Sequence, residues 1–97
     1  MSSPAGGIEL RIAPDHPAFD GHFPGTPLLP GALLLDEILR HLPGPAGPVQ
    51  LAAVKFRRPV RPGAVLTLHF ESLADGGLRF VAREDGQPVV DGTVRRD

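Results

Sequence analysis

Ninety-seven residues with a formal charge of −1 suffice for one domain and are too few for two. The near-neutral charge argues against nucleic-acid binding, and the absence of cysteine excludes disulfides and thiolate metal sites. No apolar run approaches the ~20 residues of a membrane span, and Met1 to Gly7 lacks the basic and apolar regions of a signal peptide, so a cytoplasmic protein without membrane contact is expected.

A chain this short buries only about 60–65% of its unfolded surface. With no Trp, no Tyr and five Phe to fill the core, it is expected to complete its burial in a homodimer or higher homo-oligomer. The expectation is a single domain over residues 1–97, with 1–7 as a flexible lead-in.

Ile8, Leu10 and Ile12 alternate with Glu9 and Arg11, the period of a half-buried strand that Pro14 ends. Asp15 to Pro30 is a long connection whose prolines fix φ at several points, so it reads as ordered and functional. A helix is predicted over Ala32 to Leu42, where only Asp36, Glu37, Arg40 and His41 are polar. At ~100° per residue, Ala32, Leu35, Ile38, Leu39 and Leu42 form a broad apolar arc, which predicts a mostly buried helix with Asp36 at the edge of the arc. The Pro43 to Pro48 run, rich in Pro and Gly, ends it.

Four more strands are predicted. Val49 to Phe56 is apolar. Leu66, Leu68 and Phe70 alternate with Thr67, His69 and Glu71; Leu78, Phe80 and Ala82 alternate with Arg79 and Arg83; Val90 and Val94 mark the last strand. Asp75-Gly76-Gly77 and Asp85-Gly86 are turn signals between them. One helix with five strands predicts an α+β fold, a curved antiparallel sheet wrapped around the helix with its remaining exposure covered by a partner.

His22 and Asp36 are the residue types an elimination needs. A neutral imidazole takes a proton from carbon, and a carboxyl group in an apolar cleft keeps its proton and gives it to a departing hydroxyl. The helix start at Gly31 offers free backbone N–H groups to a carbonyl, and a glycine lets substrate approach closely. The plainer reading of Asp36 is an i,i+4 pair with Arg40. Glu37, about 100° round the helix, is placed on the surface. His16 is read as a surface loop residue, His41 as a partner of the last helix carbonyls, and His69 as solvated on the outward face of its strand.

The run Gly21-His22-Phe23-Pro24-Gly25-x-Pro27-x-x-Pro30-Gly31, followed by Asp36, resembles the 3-hydroxyacyl-[acyl-carrier-protein] dehydratases of the FabZ/FabA type, in the hotdog superfamily. Phe56-Arg57-Arg58-Pro59-Val60-Arg61-Pro62-Gly63 resembles the same family's F-x-x-P-V-x-P-G strand and turn. The resemblance implies a hotdog fold, a 3-hydroxyacyl thioester on acyl carrier protein as substrate, and no cofactor or metal. It puts the catalytic histidine on His22 and the acid on Asp36, a position where FabZ-type members carry Glu and FabA-type members Asp. It puts the carbonyl-binding N–H on Gly31, and it pairs the histidine of one subunit with the acid of the other. Phe23 and Leu28 are then expected to line the acyl pocket, and the basic run Lys55, Arg57, Arg58 and Arg61 to meet the acidic carrier. Relative to typical members the chain is expected to start late and lack the family's first strand, and its helix to break early at Pro43. The Asp and the short chain also resemble, more loosely, the small dehydratase-like proteins of aryl-polyene and related lipid pathways. Two other functions fit the same residues: a hotdog thioesterase, and a non-catalytic module that binds acyl chains or the carrier.

Overall fold

The computed structural model describes residues 7–16, 29–45 and 47–96. In chain order these form β1 (Ile8–Arg11), α1 (Gly31–Leu39), β2 (Val49–Phe56), β3 (Val65–Ser72), β4 (Leu78–Glu84) and β5 (Gln87–Arg96). The strands join one antiparallel sheet in the order β1-β3-β4-β5-β2. With the single helix packed on the core of this sheet, the architecture is the expected hotdog fold.

Alternation decides which residues meet the helix. Leu66 and Leu68 of β3, Phe80 and Ala82 of β4, and Val90 and Val94 of β5 are all buried, together with Leu34 and Ile38 of α1. Ladder partners share a face: Leu68 lies opposite Ala82, and Ala82 opposite Val90. Gly92 leaves room for the largest of these side chains, since a Cβ there would sit 3.0 Å from the Phe80 ring and from Val54. Asp85 and Gly86 have φ of 51° and 79°, the two positive values that a two-residue I′ turn requires. Pairing therefore resumes at once, Glu84 with Gln87, and β5 starts well before Val90. Pro88 is tolerated there because β2 joins β5 only from Val90 onward.

The helix departs from expectation in two ways. It runs Gly31–Leu39 rather than Ala32 to Leu42, because its last turn tightens: His41 N–H donates to Ile38 C=O at 3.0 Å and Leu42 N–H to Leu39 C=O at 3.1 Å. It is also less buried than predicted. Only Leu34 and Ile38 are buried, Leu35, Leu39 and Leu42 pack partly against the core, and Ala32 and Leu33 are exposed. The reason is that a single five-stranded sheet covers one stripe of the helix, and that stripe centres on Leu34 and Ile38 rather than on Leu35 and Leu42.

β2 matches its predicted span but lies at the far side of the sheet from β3, beside β5. A bulge at Ala53, with φ 53°, shifts its register between Ala52 and Lys55. Its other edge pairs with no described strand, and Leu51 and Phe56 are 39% and 52% exposed.

Candidate active site

Of the site residues expected from the sequence, His22, Phe23 and Leu28 lie outside the described residues. The end of their segment is held in place. Leu29 is buried, and its N–H donates to the Val60 carbonyl at 2.8 Å. That bond joins the end of the first motif to the middle of the second, thirty-odd residues on. Pro30 then caps α1 with an extended φ/ψ, and its carbonyl accepts from Leu33 and Leu34 at 3.0 and 3.1 Å. The Gly31 and Ala32 N–H groups donate to no described residue, as the first turn of a helix dictates.

Gly31 lines a cleft of about 500 Å³ together with Leu29, Leu34, Phe56, Arg58 and Val60. It is an apolar cleft with a helix N-terminus at one wall and guanidinium groups at its rim, which suits an acyl thioester with a polar head. Gly31 is required there sterically. A Cβ at this position would lie 2.8 Å from Cζ of Phe56. The glycine read as room for substrate is thus, in this protomer, room for the Phe56 ring.

Asp36 does not line this cleft. Its carboxylate is on the open side of α1, where Oδ2 accepts from Nη2 of Arg40 at 3.1 Å, with side-chain exposures of 59% and 67%. Glu37 also faces Arg40, at 3.7 Å, and its side chain is the less exposed of the two carboxylates at 28%. The assignment of Glu37 as the more superficial residue is therefore reversed within the protomer. The cause is that residue 37 leans back toward the stripe holding Leu34 and Ile38.

The basic run divides by strand geometry. Arg58 reaches the cleft, Arg61 is exposed and lines no cavity described here, and Lys55 points to the other face of the sheet. Arg57 borders both sides. Its guanidinium donates to both oxygens of Asp91, a β5 residue whose side chain is only 15% exposed. The Arg57 hydrogen bond holds the Asp91 carboxyl below the usual carboxylate range against the opposing effect of burial, and the charges of Arg57, Arg79 and Lys55 add to it. The same pair raises Arg57. Asp91 had no signal in the sequence, because its partner is 34 residues away.

Two histidine readings change. His69 is half-buried rather than solvated, with a buried Nδ1 that has no hydrogen-bond partner among the described residues. It faces outward as expected, but the backbone at Gly7 comes so close that a Cβ there would be 3.3 Å from its Nε2. His41 is exposed, and what reaches the helix carbonyls is its backbone N–H.

A family model described as ApeI-like, ApeI dehydratase, matches residues 3–93. The chain belongs to the ApeI-like dehydratase family. Among curated relatives it is similar to the 3-hydroxyacyl-[acyl-carrier-protein] dehydratase FabZ of Acidiphilium cryptum, with 36% identity over 92 residues, 77% of this chain and 56% of that protein. It is also similar to FabZ of Acetivibrio thermocellus, with 33% identity covering 88% of this chain and 68% of that one. The ApeI-like chain thus spans little more than half the length of the Acidiphilium relative. Among solved structures, the dehydratase heterocomplex ApeI:P from Xenorhabdus doucetiae matches with a TM-score of 0.81 at 30% identity, over 97% of this chain and 90% of that one. The family expected from the two motifs is the one found.

Proposed function

We propose that this ApeI-like chain eliminates water from 3-hydroxyacyl thioesters carried on acyl carrier protein, giving trans-2-enoyl thioesters. The observation that carries this reading is that the end of the first dehydratase-type motif, Leu29 to Gly31, meets the second at one cleft, through the Leu29–Val60 hydrogen bond. His22 takes the C2 proton. The electron pair left behind forms the C2–C3 double bond as the C3–O bond breaks, and the hydroxyl leaves as water with a proton from Asp36 of a second subunit. The Gly31 N–H, at the positive end of α1, holds the thioester carbonyl as negative charge builds on it.

The second subunit has a physical place to bind. β2 offers an eight-residue strand edge that pairs with no described strand, with Leu51 and Phe56 exposed beside it, an arrangement that proteins otherwise protect against pairing. Edge-to-edge pairing of two β2 strands in a homodimer would cover these side chains. It would also explain why Asp36 is away from its own protomer's cleft.

His22→Ala and Asp36→Asn should each lower elimination about 100- to 10,000-fold while leaving the oligomer intact by sedimentation. Turnover retained in either variant would sink the assignment. Mass spectrometry of the product separates an enoyl thioester from the free acid that a thioesterase would release.

A further inference from the structure

The face of the sheet away from α1 carries a groove of about 520 Å³ that the elimination does not use. Arg57, Arg79, Arg83, Glu71 and Asp91 line it, with His69 at its β3 side. A smaller hollow of about 250 Å³ adjoins it, sharing Arg57, Arg79 and Asp91 and adding Lys55. The register puts these side chains on one face: Lys55 is opposite Asp91, Asp91 opposite Val81, and Val81 opposite His69.

The charges here do not balance. Four cations face two carboxylates, in a chain whose formal charge is −1. Asp91 is already taken up by Arg57. Among the described residues, no carboxylate comes within 4 Å of the Lys55, Arg79 or Arg83 cations, although Glu71 is the cross-strand neighbour of Arg79. Arg11, Arg40 and Arg95, by contrast, each sit within 4 Å of a carboxylate. Like charges left together on a sheet face cost stability unless an anion meets them.

Arg57 links this surplus to the cleft, because its side chain borders both. We propose that the groove lined by Lys55, Arg79 and Arg83 is the docking surface for an acidic face of the carrier protein, with Arg57 at the passage from docking surface to cleft. The proposal rests on the dehydratase reading only for the identity of the partner. It moves the recruitment surface from the sequence run Lys55 to Arg61 onto β4, and leaves Arg61 outside it.

Binding of holo-acyl carrier protein to the full chain tests this directly, by fluorescence anisotropy at low salt. Arg79→Glu and Arg83→Glu should each weaken binding about tenfold or more and flatten its salt dependence. Arg11→Glu, the same charge change on β1, serves as the control. Equal weakening by Arg11→Glu, unchanged binding in both β4 variants, or no carrier binding by the parent chain would each overturn the proposal. A kinetic arm separates it from the activity reading. For the β4 variants the KM should rise for the carrier-bound 3-hydroxyacyl substrate and stay put for the same acyl group on pantetheine. A parallel rise for both substrates counts against docking, whereas failure of the parent chain to dehydrate the pantetheine thioester counts against the dehydratase reading alone.

Discussion

The two faces of the same five strands behave as different materials. On the face toward α1, Leu66, Leu68, Phe80, Ala82, Val90 and Val94 are buried to within a few percent. One residue along each strand, the other face carries His69, Glu71, Arg79, Arg83 and Asp91 around an open groove. Because side chains alternate along a strand outside the irregularities near Ala53 and Val89, the register assigns folding to one face and recognition to the other. The lesson is that substitutions one position apart should have opposite consequences, the inner one for stability and the outer one for binding.

The strongest test of that division is Phe80→Ala. Phe80 is fully buried against the helix side, and its loss should cost about 3–5 kcal/mol in urea unfolding, a large part of the stability of so small a domain. Were the loss as small as that of its outward neighbour Arg79, the inner face would not be the seat of the fold. Gly92→Ala should follow at about 1–3 kcal/mol, because the added methyl sits 3.0 Å from the Phe80 ring and from Val54. A Gly92→Ala, Phe80→Leu pair that recovers part of this would localise the conflict to that contact.

Outer-face changes should be milder and depend on pH. Asp91→Asn removes a carboxylate held low by Arg57, and an exposed partner limits the effect to about 1 kcal/mol or less. The sign follows from the depressed folded value. The native state binds its proton less readily than the unfolded chain, so this contribution is present above the usual carboxylate range, about pH 4. It fades as pH falls through the lower folded value. The stability gap between parent and variant, followed from pH 7 downward, should therefore close in acid. A gap that widens there would mean that Asp91 does not gain from Arg57. Asp75→Asn, at the β3–β4 turn, should behave likewise and more weakly. Asp75 is held low first by Arg95 and then by the Gly77 N–H, but its side chain is 54% exposed.

The candidate site was legible to a different degree at each of its parts. The start of α1 could be read at Pro30-Gly31, because a proline and a glycine before an aliphatic run are local signals. The depth of the helix could not, because Leu34, outside the predicted arc, joins Ile38 at the centre only once the sheet chooses a stripe to cover. Phe56 opens the second motif, and nothing local in the sequence assigns it a contact. Its ring on Gly31 depends on the path of β2 across the sheet, a contact between residues twenty-five apart.

By itself the sequence determined the number, order and approximate span of the strands, the β4–β5 turn, the helix and the family. These follow from period-two alternation, turn residues and a long motif, all properties of neighbouring residues. Only the tertiary structure decided that β2 lies beside β5 with its other edge facing no described strand, that Arg57 grips Asp91 and borders both cavities, and that the β4 arginines share a face with Lys55. Those are long-range pairings, and no local pattern encodes which strand will lie next to which.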